Sequence, residues 1–344
     1  VTTLDRELPG PVADWLAHAL PAAEPPFTCE RISGGYSMLT YRLRDNAGEC
    51  WVLRHPPAGH TSGKAHDTDR EVRVMSALAG SAVPVPRLAA VGAAADPLGL
   101  PCHITEFVPG FVLADATAAS RDVEPAALRT ATEQIVDILA TLHSIDPDAV
   151  GLGDFGPRSG YVARQLHRWR SVIDAAAQPG TADSVARLHS LTGLIESHLP
   201  ASGPVRIVHG DYRLGNAIVG SDGRVRAILD WELASLGDPL ADLAALVAFW
   251  QPPAEAMLGD EMPTTAPGSI TVAEVLDRYR SRSTVPMDGF WVYDTFASWR
   301  LACTALRAHA RFASGAMDDD RGLERFRVAC RSWIDAAERA TTAR

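Results

Sequence analysis

Residues 208–231 read VHGDYRLGNAIVGSDGRVRAILDW, and the rest of the chain is best understood outward from them. Asp211 stands five residues before Asn216 on one polar loop, and Asp230 follows fourteen residues later at the end of the apolar run AILD. Short β-prone segments, RIV at 206–208 and AIL at 227–229, would hold the two acids at a fixed separation. An acid, an amide and a second acid in this order suit phosphoryl transfer. One carboxylate orients an attacking hydroxyl and accepts its proton, while an amide oxygen and another carboxylate hold Mg2+ against nucleotide phosphates. The bland alternative is a polar turn whose Asp and Asn satisfy backbone groups.

Upstream, ISGGYSMLTYRL sets Ser33, Gly34, Gly35 and Ser37 between two β-prone runs, where backbone N–H groups can approach phosphates without a Cβ in the way. After the turn RDNAGE, the next strand, CWVLRHP, carries Arg54. The spacing predicts a helix over 66–79, with Glu71, Met75 and Leu78 at i, i+4 and i+7 on its inward face. A carboxylate on that face needs a cation, because burying it alone is costly. Arg54 is the natural partner: always protonated and forked, it can clamp Glu71 and a phosphate together. A plain structural ion pair is the other reading.

These segments resemble the aminoglycoside phosphotransferase and choline kinase family of the protein-kinase-like fold. HGDYRLGN is similar to the family's HGDxxxxN catalytic loop, and LDW to its metal-binding D-[FW] element. VLRHPP, AHDTDREVRVMSAL and VPVPR look closest to a bacterial subgroup related to the kinase domains fused to some acyl-CoA dehydrogenases. That subgroup carries Arg where most members have Lys. LHSIDPDAVGLGDFG and YVARQLHRW extend the likeness over most of residues 30–245.

The resemblance implies an α+β, bilobal kinase-like fold, with a small β-rich nucleotide-binding lobe over 1–108 and a larger helical catalytic and substrate-binding lobe over 109–344. It implies Asp211 as catalytic base and Asn216 with Asp230 as Mg2+ ligands. Arg54, positioned by Glu71, and the loop 33–37 would meet the phosphates. Backbone groups at Glu106, Phe107 and Val108, within ITEFVPG, would meet the base. The implied activity moves the γ-phosphoryl of ATP or GTP to a hydroxyl of a small molecule. An aminoglycoside-type antibiotic, as in self-resistance, is one acceptor; a hydroxyacyl-CoA or other hydroxylated metabolite is the alternative. A catalytically silent nucleotide-binding module is the reading from another class.

Composition bounds these readings. The chain has 344 residues, 47% hydrophobic and 22% charged, an ordinary globular make-up long enough for two domains. With 32 Lys+Arg against 42 Asp+Glu, the net charge of −10 argues against a nucleic-acid partner. No apolar run approaches a membrane span; LADLAALVAFW at 240–250 is too short and contains Asp242. VTTLDRELPGP shows no secretory pattern, and five scattered cysteines without a CxxC pair suit reduced thiols. The expectation is a cytoplasmic monomer or homodimer that binds a nucleoside triphosphate and a small hydroxylated molecule.

Other features receive plainer readings. GLGDFG at 151–156 is a literal GxGxxG, but a helix precedes it and Pro157 follows, so it is not a dinucleotide site. Asp238-Pro239 reads as a helix N-cap supporting the active-site loop, and His209 as a satisfied loop histidine. Glu232 stands near the expected metal, and Trp291, Asp294 and Trp299 are candidates for the acceptor pocket. A CoA acceptor would call on Arg158, Arg164, Arg168 or Arg170, and a cationic sugar on Asp294 or the acids at 318–320. The Pro- and Thr-rich segment 251–269 reads as a mobile loop.

Overall fold

In the computed structural model, which describes residues 8–32, 38–57, 64–178, 180–200, 203–314 and 321–342 (side chains of 64–67 and 321 excepted), the alternating segments of the first hundred residues form an antiparallel sheet. The order along the chain is α1 (Gly10–Ala19), β1 (Thr28–Arg31), β2 (Leu39–Arg44), β3 (Cys50–His55), α2 (Lys64–Leu78), β4 (Leu88–Gly92) and β5 (Cys102–Glu106). The strands lie in the order β1-β2-β3-β5-β4, with each neighbour antiparallel. Because strand side chains alternate, the sheet has two different faces. One carries Tyr41, Leu43, Leu53, Cys102 and Ile104, which share a core with Val12 and Leu16 of α1. Each such side chain, fully buried, contributes roughly 2 kcal/mol. The other face carries Arg54 and, directly across the β3–β5 ladder, His103. Against it lies α2, with Val74, Met75 and Leu78 buried.

The chain continues through β6 (Phe111–Val112), α3 (Ala116–Asp122), α4 (Pro125–Ser144), α5 (Tyr161–Ala175), α6 (Ala182–His198), β7 (Arg206–Val208), β8 (Ala217–Val219), β9 (Val225–Ile228) and β10 (Ser235–Gly237). It ends in α7 (Pro239–Ala248), α8 (Pro253–Leu258), α9 (Val272–Arg282), α10 (Phe290–Ala313) and α11 (Arg321–Thr341). Helix α7 is buried at all ten positions, as befits a helix apolar on every side. Strands β7 and β10 pair antiparallel, Ile207 opposite Leu236, and β6 pairs with β8.

Two compact units result. One is Val1–Gly110 together with Arg226–Ala234; the other is Phe111–Val225 together with Ser235–Arg344. The short segment joins the first unit through named bonds. Ile228 N–H donates to Pro84 C=O at 2.8 Å, and Arg70 Nε donates to Ala234 C=O at 2.9 Å. A single cut in the sequence therefore separates Asp230 from the unit in which it packs.

The segment 251–269 is not the open loop its composition suggests. Prolines there start helices: Pro253 is the first residue of α8, and Pro263 opens a 3-10 turn over Pro263–Thr265. Ala254, Met262, Thr264 and Ala266 are buried. Among the described residues no helix is long and apolar enough to cross a membrane.

Candidate active site

In the second unit, β7 delivers the chain into the loop His209–Asn216. Gly210 has φ +87°, a conformation that L side chains rarely adopt, and the backbone turns there. Asn216 closes the loop: its Nδ2 donates to the Asp211 carbonyl at 2.9 Å and to Asp211 Oδ2 at 2.8 Å. Asp211 is about one-third exposed, and Arg213 Nε lies 3.8 Å from its Oδ2. The Arg213 guanidinium in turn sits 5.5 Å above the Phe249 ring. The sequence-predicted pair Asp211 and Asn216 is thus brought into direct contact, and the carboxylate is left accessible.

The loop is held from behind by a residue to which the sequence reading gave no role. Asp242 of α7 is 2% exposed and accepts hydrogen bonds from the backbone N–H groups of His209 and of Gly210, the latter at 2.9 Å. His143 of α4 stands behind it, with Nε2 3.6 Å from Asp242 Oδ2 and Nδ1 2.7 Å from the Tyr279 hydroxyl. Burial pushes the Asp242 carboxyl up, but His143, His209 and the Gly210 N–H more than offset this and leave it below the usual range. Asp238 is the N-cap of α7 that the sequence reading expected, accepting from Leu240 N–H (3.1 Å), and it also accepts from the Tyr293 hydroxyl. A lone acid inside LADLAALVAFW was the available signal, since a buried carboxylate must find donors. His209 is fully buried; its Nδ1 accepts from Asp211 N–H at 3.2 Å, in keeping with a satisfied loop histidine.

In the first unit, Arg54 carries two carboxylates. Nη1 donates to Glu71 Oε1 at 2.8 Å and Nη2 to Asp230 Oδ1 at 2.9 Å. Side-chain exposures are 18% for Arg54, 1% for Glu71 and 31% for Asp230. Burial pulls the guanidinium pKa down, but Glu71 and Asp230, with Glu232 behind them, hold it above its ordinary value. Asp230 is held in the left-handed region at φ +68°, the one non-glycine residue there among those described. Trp231 anchors the next position, buried and donating from Nε1 to Ile228 C=O at 3.0 Å.

The remaining candidates divide. Glu106 N–H donates to Arg87 C=O (2.9 Å) and Phe107 N–H to Cys50 C=O (3.2 Å), so neither N–H is free for a base; Val108 lies past the end of β5. The Glu106 carboxylate pairs with Arg87. Ser33, Gly34, Gly35 and Ser37 lie outside the described residues, as do the acids at 318–320. Trp299 is core, fully buried with its indole N–H on Leu188 C=O, so it does not border a pocket. Asp294 is partly buried beside Gln251, and burial raises its pKa. Arg158, Arg164 and Arg170 are engaged by Asp148, the Pro157 carbonyl and Glu196 respectively. A cleft of about 470 Å³ in the second unit is lined by Arg158, Tyr161, Asp238 and Tyr293 among others; it takes in one arginine named for a CoA acceptor but neither Asp211 nor Asn216.

Residues 28–265, well over half the chain, match the family model described as "Phosphotransferase enzyme family". The chain belongs to this phosphotransferase family. Its kinase-like fold is shared with a candidate aminoglycoside phosphotransferase from Ralstonia eutropha, 28% identical with a TM-score of 0.81, covering 96% of this chain and 97% of that one. The complex of APH(2")-IIia with GDP and kanamycin shares the fold at 14% identity and a TM-score of 0.65, covering 96% and 98%. Mouse (Mus musculus) acyl-CoA dehydrogenase family member 10 is 32% identical over 286 residues, 82% of this chain and 26% of that protein. The chain thus spans about a quarter of that relative's length.

Each unit carries an oxygen donor of the kind that suits a hard divalent cation. Asp230 offers a partly exposed carboxylate, and Asn216, whose Nδ2 is committed to Asp211, offers its amide oxygen. Among the described residues no group of three or more His, Cys, Asp or Glu is placed to hold a metal ion.

Proposed function

We propose that this family member transfers the γ-phosphoryl group of ATP or GTP to a hydroxyl of a small molecule. The observation that carries the reading is the contact between Asn216 Nδ2 and the accessible carboxylate of Asp211. An acid fixed by a neighbouring amide, and still open to solvent, can orient a hydroxyl and take its proton as the phosphoryl group arrives. Asn216 and Asp230 would hold Mg2+, which when bound neutralises developing charge on the phosphates. Arg54, fixed by Glu71, would bind phosphate. Val108 N–H and the Glu106 carbonyl would receive the base.

Two acceptors are supported by different relatives. The aminoglycoside phosphotransferases of similar fold favour a polyhydroxylated antibiotic, with Asp294 as a site for a substrate cation. The acyl-CoA dehydrogenase relative favours a hydroxyacyl-CoA. That second acceptor would draw little on Arg158, Arg164 and Arg170, which already have protein partners.

The test is a mass-spectrometric screen of pooled hydroxylated metabolites and antibiotics for gain of one phosphoryl group, run with the Asp211→Asn protein in parallel. Asp211→Asn is expected to keep nucleotide affinity while kcat falls by about a thousandfold, the usual size of a general-base contribution. Equal turnover by the variant would remove Asp211 from that role. Mg-dependent nucleotide binding with no product from any acceptor would favour the silent module.

A further inference from the structure

Opposite Arg54 on the neighbouring strand lies a histidine that no step of the proposed reaction uses. His103 is 1% exposed, and the β3–β5 register places it level with Arg54 on the face packed by α2. Its Nε2 is 3.5 Å from Glu71 Oε2, while Arg54 Nη1 is 2.8 Å from Glu71 Oε1. Thr68, one helical turn before Glu71, is buried there too. His103 Nδ1, Thr68 Oγ1 and Arg54 Nε are all buried without a hydrogen-bond partner.

That pattern settles the imidazole's chemistry. A buried N–H without an acceptor costs more than a buried lone pair without a donor, so the proton belongs on Nε2, where the carboxylate lies. The opposite tautomer would aim a lone pair at Glu71. Protonating both nitrogens would set a second cation beside Arg54 in a desolvated site. Burial, and then the Arg54 charge, hold the imidazole neutral by pushing its pKa down to about 3.

We propose that His103 is a positioning residue for the Arg54–Glu71 pair: its Nε2–H faces Glu71 Oε2 and fixes the carboxylate so that Oε1 is presented to Arg54. The consequence for nucleotide affinity rests on the phosphoryl-transfer reading; the positioning role does not. A four-carbon ammonium stem can follow a shifting carboxylate, whereas a planar guanidinium must meet it in one orientation. An Arg in this place therefore gains more from a second donor that pins its partner.

The test uses His103→Leu and His103→Gln in the full chain, with thermal melting to show that each is folded; His103→Met replaces Leu if that protein does not accumulate. Solvent exchange of the Arg54 Nε–H is followed by 15N NMR without nucleotide. It is expected to speed up by about tenfold in His103→Leu and to return close to wild type in His103→Gln, whose amide restores a donor. Unchanged exchange in His103→Leu, or Gln behaving as Leu does, overturns the proposal. Calorimetry with MgATP then separates the two readings. A roughly tenfold loss of affinity in His103→Leu, rescued by Gln, is the size expected for loosening a charge-assisted bond. Loosened Arg54 with unchanged affinity would count against its phosphate role and leave the positioning role standing.

Discussion

Arg54 stands where the family resemblance leads one to expect Lys, and its fork lets it hold two carboxylates. Two nitrogens of one rigid plane reach Glu71 and Asp230 in different directions, which a single ammonium cannot do with the same geometry. The Glu71 half of the arrangement was legible in the sequence, because helical spacing put an acid on an apolar face. Asp230 as the third partner was not, since nothing local links residues 176 positions apart. With Glu71 1% exposed, removing its guanidinium leaves a desolvated carboxylate, a loss of about 3 kcal/mol or more. Arg54→Met is therefore expected to lower the unfolding free energy by that amount in urea, and Arg54→Met with Glu71→Met to recover most of it. A single-variant loss under about 1 kcal/mol would mean the pair is a surface-like bridge of little energetic weight.

At the level of elements, the candidate active-site loop is held by α7. Asp242 gives one carboxylate to two backbone donors, and an amide has only one acceptor oxygen for them. Asp242→Asn should leave one loop N–H facing an NH2 group, costing about 2 kcal/mol. Because Asp211 follows Gly210 directly, kcat should drop by more than about tenfold while nucleotide affinity stays within about threefold. Steady-state kinetics beside calorimetry would show this; an unchanged kcat would mean the loop holds itself. The longer elements were readable: 182–198, 272–282 and 290–313 repeat apolar residues at helical spacing over several turns, and the HGD and LDW segments pointed to the loop where Asp211 meets Asn216 and to the turn that carries Asp230. Strands β6, β8 and β10 were not, because two or three residues carry no period and form only where a partner strand supplies the ladder. Helix α8 was hidden by its prolines, which read as loop until their place in the first turn is known. Asp242 escaped because a single acid does not say which backbone it will meet.

Over the whole molecule, buried histidines and hydrogen-bonded carboxylates make stability depend on pH in two ranges. His103 stays neutral in the folded chain down to about pH 3, whereas its ordinary value is 6.5. Between those values the unfolded chain binds a proton that the folded chain refuses, so each unit of acidification removes up to about 1.4 kcal/mol. His55, buried with its Nδ1 2.8 Å from the Pro56 carbonyl, is lowered too and acts with the same sign. The carboxylates act further down. Glu274 is held at about 2 by the Thr271 N–H, Arg129 and the Thr271 hydroxyl, and Asp45 and Asp242 are also lowered. Their contribution is complete above the ordinary values of 4.5 and 3.8 and is lost as pH falls through the folded ones. Stability should therefore begin to fall near pH 6.5, ahead of the titration of Glu274, Asp45 and Asp242, and fall more steeply below about pH 4; Asp238 and Asp294, whose carboxyls burial raises, act with the opposite sign. Melting temperatures measured from pH 7.5 to 4 on wild type and His103→Leu separate the two ranges. The wild-type curve should fall from about pH 6.5 downward, and the variant should be markedly flatter until the carboxylates protonate. Parallel curves would mean that His103 titrates alike in the folded and unfolded chain, which is incompatible with an imidazole kept neutral beside Arg54.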